Sequence, residues 1–122
     1  MEFISTDHPI ENEYPKLVSD NIPAIIKART GVDAELRIAK DDREFLDYLL
    51  RKMVEEATEL EHSGEHDNLE EELADVCELI ETILKLKGKT QEDILAIQRQ
   101  KREKNGGFND RIIMLSKIQK PE

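Results

Sequence analysis

Two neighbouring stretches of this chain have the apolar period of an α-helix, and each sets carboxylates into its own apolar stripe. Residues step by about 100° around a helix axis, so a stretch can be read as a wheel. In residues 42–62, Leu46, Leu49, Leu50, Met53, Ala57 and Leu60 share one arc, with Glu56 inside it and Glu59 on its edge. Glu55 and Glu61 are expected to face solvent, and Arg51 and Lys52 to lie off the stripe, where they make poor internal partners. In residues 68–87 the arc comprises Leu69, Leu73, Val76, Cys77, Ile80, Ile83 and Leu84. Glu72 lies inside that arc and Asp75 at its edge, while Glu70, Glu71, Glu78 and Glu81 fall outside.

The spacing thus predicts two i, i+3 acid pairs on facing helices. Four ionised carboxylates gathered without compensation cost many kcal/mol in desolvation and repulsion. Protons or a cation must be present. An all-oxygen donor set suits a hard divalent ion, and Mg²⁺ keeps positions for water and substrate phosphates. No His or Cys has zinc-site spacing; His62 and His66 are expected at the surface. The competing reading is that Glu56 and Glu72 pair with Lys or Arg across the bundle. Two matched acid pairs weigh against it.

The remaining features predict an all-α fold, a helical bundle of antiparallel helices with short extended segments in the N-terminal third and the C-terminal tail. A chain of 122 residues fits one domain. Charged residues reach 38%, but the regular helical placement of apolar residues argues for a folded chain. Ser19 or Asp20 is expected to cap a helix over about 21–29, with Pro23 in its first turn and Gly31 past its end. Alternation over residues 33–39 reads as an extended segment. Asp41 with Glu44 resembles a capping box for the first long helix. A polar loop, Ser63–Asp67, precedes a second helix capped by Asp67 or Asn68 and running to Lys87 before Gly88. Thr90 with Asp93 opens a third, ended by Asn105-Gly106-Gly107. The apolar run in 108–118 reads as a strand or a docking segment.

Residues 1–84 carry 8 Lys/Arg against 23 Asp/Glu, a balance of −15, whereas residues 85–122 carry 10 against 5, a balance of +5. Acidic helices paired with a basic C-terminal segment fit a cation and an anion respectively. So acidic a surface makes nucleic acid an unlikely partner. No apolar run reaches the roughly 18 residues of a membrane span, and Met1–Asp7 lack a signal peptide's basic start, so a cytoplasmic location is expected. The single Cys77 is expected to be a small buried core residue.

The run Glu55-Glu56-Ala57-Thr58-Glu59, followed by Glu72-Leu73-Ala74-Asp75, matches an EExxE…ExxD pattern. That pattern resembles the signature of the all-α NTP pyrophosphatase superfamily, which includes MazG proteins, dimeric dUTPases, dCTP pyrophosphatases and phosphoribosyl-ATP pyrophosphohydrolase. Tyr14-Pro15-Lys16-Leu17-Val18-Ser19-Asp20-Asn21-Ile22-Pro23 is similar to the "KLVRDKIP" opening of its small house-cleaning branch. Lys101 to Phe108, with Arg111, resembles that branch's "GGF…R" ending. Ser19 and Asn21 stand where the branch often has basic residues. The resemblance covers roughly residues 14–115 and divides the chain into a loose arm (1–13), a MazG-like domain (14–118) and a tail (119–122).

The resemblance implies that Glu56, Glu59, Glu72 and Asp75 ligate Mg²⁺, for which Mn²⁺ can substitute. Glu55 would bind a second metal, orient the attacking water or accept its proton. Lys16 and Arg111 would contact substrate phosphates. Lys101 and Lys104 continue the face begun by Ile94 and Ile97 and would join them, unless their stems merely cover apolar surface. The implied activity is hydrolysis of nucleoside triphosphates, non-standard or surplus ones, to a monophosphate and pyrophosphate, in a homodimer or homotetramer. Phosphoribosyl-ATP is an alternative substrate. Stacking on a base would fall to Tyr14, Phe45, Tyr48 or Phe108. The alternative from another class is a non-catalytic acidic helical interaction module.

Overall fold

The computed structural model describes residues 14–62 and 68–118. It contains four helices, α1 (Ile22–Thr30), α2 (Asp42–His62), α3 (Leu69–Leu86) and α4 (Gln91–Asn105), and no strand among the described residues. The all-α expectation therefore holds at the level of elements. Residues 33–39 and 108–118 take part in no strand pairing. The loop at 63–67, with His66 and Asp67, lies outside the described residues, as do the arm 1–13 and the tail 119–122. No helix is long and apolar enough to cross a membrane among the described residues.

Local chemistry sets the helix ends. Pro23 occupies the first turn of α1, where its missing N–H costs nothing. Gly31 closes that helix at φ 73°, a left-handed conformation costly for other residues, and donates to the Lys27 carbonyl at 2.8 Å. The N-cap of α1 is Asn21, not Ser19 or Asp20, and no side chain caps it; the Ser19 carbonyl instead accepts the Ile22 N–H at 3.0 Å. At the start of α2, Asp41 Oδ1 accepts the Glu44 N–H at 2.8 Å. The reciprocal half of that box is redirected. Glu44 accepts from the Lys40 N–H at 3.0 Å and, through both oxygens, from the Arg37 guanidinium at 2.6 and 3.1 Å. Those bonds, the Arg37 one first, hold its carboxyl down at about 2. Asn68 precedes α3 without a side-chain cap, and α3 ends at Leu86, one residue earlier than expected. The Thr90–Asp93 box on α4 is complete, with bonds of 3.2 and 2.8 Å.

The chain divides into two units at Gly88/Lys89, the first with α1 to α3 and the second with α4 and the segment after it. In the first unit α2 packs against α3. Leu49, Leu79 and Leu84 are buried, Leu49 at 1% exposure. The contact faces are rotated from the expected arcs. On α3 the inward positions are Glu72, Val76, Leu79, Ile83 and Leu86, at i, i+4, i+7, i+11 and i+14. Leu69, Leu73, Cys77 and Ile80, expected inside, are exposed. The apolar arc of α3 is wider than one neighbouring helix can cover, so α2 takes one flank and leaves the other. On α2, Lys52 and Glu55 lie inward, and Leu50 and Ala57, expected inside, are exposed.

Leu49→Ala is expected to destabilise the protein by about 2–5 kcal/mol in chemical denaturation, the usual cost of an aliphatic side chain removed from a closed site.

Candidate metal centre

Helix α2 supplies Glu56 and Glu59, one turn apart, and α3 supplies Glu72 from its packed face. One carboxylate oxygen from each lies within 4.8 Å of the other two. Glu56 is 6% exposed, and Glu59 and Glu72 are half-buried. Glu56 Oε2 and Glu72 Oε2 are buried without a hydrogen-bond partner. Two ionised carboxylates cannot bond to each other, so these oxygens call for a proton, a donor such as water, or a cation. Asp75 stands outside the triad and is exposed, but its charge reaches Glu56.

Burial, followed by the negative charge of Asp75, pushes the Glu56 carboxyl up to about 7, while Lys52 opposes that rise. The donor set fits a hard divalent cation: oxygens only, converging from two helices, on residues of which Glu56 and Glu72 each have a buried, unsatisfied oxygen.

Glu55 departs from the expected solvent-facing position. It is 4% exposed. Its Oε1 lies 3.4 Å from Lys16 Nζ and its Oε2 lies 3.1 Å from Lys52 Nζ, and Lys52 also lies 3.8 Å from Glu56 Oε1. By angle Lys52 lies off the apolar stripe, and charge rather than apolarity brings it in. A buried carboxylate draws a neighbouring ammonium inward while the aliphatic stem packs. The signal was present in the spacing, since Lys52 precedes Glu55 by three residues and Glu56 by four. The Lys16 contact ties the segment before α1 to α2, and the same ammonium lies 5.3 Å from the centre of the Tyr14 ring.

Lys101 and Lys104 on α4, and Arg111 after it, belong to the second unit, and all three are exposed. Arg111 has a φ of 57° and donates its N–H to the Phe108 carbonyl at 3.2 Å. Of the candidate base-stacking rings, Phe45 and Tyr48 are half-buried on α2, with the Arg51 guanidinium 5.3 Å from the Tyr48 ring centre. Tyr14 and Phe108 are exposed. His62 is exposed near the Glu61 carboxylate, at 3.5 Å, as its surface placement predicts.

Comparison of the chain with protein-family models, curated proteins and solved structures returns no match.

The raised Glu56 carboxyl has a defined consequence for stability. Folding takes up a proton between its ordinary value of 4.5 and about 7. Its stabilising contribution is therefore complete below pH 4.5 and is lost as pH rises through about 7. In metal-free buffer, urea midpoints of the wild type should fall relative to Glu56→Gln across this window. A constant difference would show that Glu56 is not displaced.

Proposed function

We propose that this chain is a Mg²⁺-dependent nucleoside triphosphate pyrophosphohydrolase acting on non-standard or surplus nucleotides, with Mn²⁺ as a substitute ion. One observation carries the reading: Glu56 is buried with an unsatisfied oxygen inside a triad drawn from two packed helices. The EExxE…ExxD order of these acids, with the opening and closing segments it accompanies, supports the MazG-like assignment.

In this reading Glu56, Glu59 and Glu72 hold the ion, and Asp75 completes the set. The bound ion would supply charge neutralisation for the triphosphate and lower the pKa of a coordinated water. Attack of water on the α-phosphorus forms one P–O bond and breaks the α–β anhydride, so pyrophosphate leaves with the bridging oxygen. Glu55 accepts the water's proton. Lys16 and Lys52 fix the orientation of that carboxylate, and Lys16 contacts the phosphates. Antiparallel packing of α2 and α3 belongs to the same reading, because few residues separate them. The exposed apolar flanks, Leu50 and Val54 on α2 and Leu69, Leu73 and Ile80 on α3, suit a second copy of the chain, giving a homodimer or homotetramer. Phosphoribosyl-ATP is a substrate of the same chemistry. A non-catalytic interaction module would present its acids to a basic partner, and the burial of Glu55 and Glu56 opposes it.

A panel of standard and modified nucleoside triphosphates with Mg²⁺ should yield pyrophosphate, not orthophosphate, as first product. Glu56→Ala and Asp75→Ala should abolish that release with the helical circular dichroism unchanged, and Glu55→Gln should slow it by about 10²–10⁴-fold. Full activity in Glu56→Ala would overturn the assignment.

A further inference from the structure

The mechanism accounts for the acids but leaves Lys52 with a contact it does not need for holding Glu55. Lys52 Nζ lies 3.1 Å from Glu55 Oε2 and reaches on to Glu56 Oε1 at 3.8 Å. Its side chain is 19% exposed, so its charge is only partly screened by water. Lysine before acid is the weaker order for helix stabilisation, so the burial of the pair calls for more than that effect. Glu56 is divided between two surroundings: Oε1 faces an ammonium, and Oε2 is buried without a partner.

Resting on the metal-dependent reading above, we propose that Lys52 is the resident counter-charge of the acid cluster, a positioning residue that stabilises the ion-free fold and sets how tightly a divalent cation binds. Without the ion, its ammonium offsets part of the repulsion among Glu55, Glu56, Glu59, Glu72 and Asp75. With the ion bound, the same ammonium is a nearby like charge and lowers the affinity. Lys16 contacts Glu55 from the other side and keeps that carboxylate compensated in both states. The arrangement lets buried acids await a cation without unfolding the helix pair, and keeps the ion exchangeable.

The test titrates Mn²⁺ by calorimetry and follows thermal unfolding with and without Mn²⁺, for the wild type, Lys52→Met and Lys52→Arg at pH 8.5. Lys52→Met should bind Mn²⁺ about tenfold more tightly or better. It should melt lower than the wild type without the ion and show a larger upward shift when Mn²⁺ is added. Lys52→Arg, which keeps the charge, should restore wild-type affinity. If Lys52→Met does not fold, Lys52→Gln carries the same expectation. Unchanged or weaker binding in the neutral variant, with the wild type binding normally, overturns the role of Lys52 alone. A wild type that takes up no Mn²⁺ overturns the metal-dependent reading and this inference with it.

Discussion

Charge held inside the α2–α3 contact is the constraint on which the rest of this structure turns. Glu55 and Glu56 are buried on the face of α2 that packs, and Glu72 is half-buried on the packed face of α3. Aliphatic side chains alone would make a simpler interface, and burying a carboxylate is costly unless it is paired or coordinated. The two buried acids of α2 are handled differently. Glu55 is paired at both oxygens with ammonium groups. Glu56 has one oxygen toward Lys52 and the other unsatisfied beside Glu59 and Glu72. The first acid is compensated from within the chain; the second is compensated only when something is added.

That difference orders the site. The pairing of Glu55 draws in Lys16, and with it the segment before α1, so a contact across 39 residues is fixed by one carboxylate. On the same helix Lys52 is half-buried while Leu50 is exposed. Glu56, with its unsatisfied Oε2, gathers with Glu59 of the same helix and Glu72 of α3.

Much of this was legible in the sequence. The apolar period located α2 and α3, the Thr90–Asp93 box fixed the start of α4, and Gly31 marked the end of α1. Glu56, Glu59 and Glu72 were picked out by position, and the structure brings those three together. What escaped was rotation. A helical wheel weighs each apolar residue equally and has no knowledge of what lies alongside, so it placed Cys77 and Leu73 inside and omitted Leu79. By angle it also sets Glu55 and Lys52 outside, although their mutual charge is what draws them in. Lys16 lies too far along the chain for any local pattern to pair it with Glu55. Asp75, at the edge of the wheel, remains at the edge of the cluster.

A divalent ion seated among the acids that carry the unsatisfied oxygens is the central claim. Anomalous diffraction from crystals grown with Mn²⁺, recorded near the manganese absorption edge, locates the ion directly. A single strong peak coordinated by Glu56, Glu59, Glu72 and Asp75 is expected, with Glu55 still between Lys16 and Lys52. Crystals whose cluster carries no peak at saturating Mn²⁺, or in which Lys52 fills the space between the three acids, would contradict it.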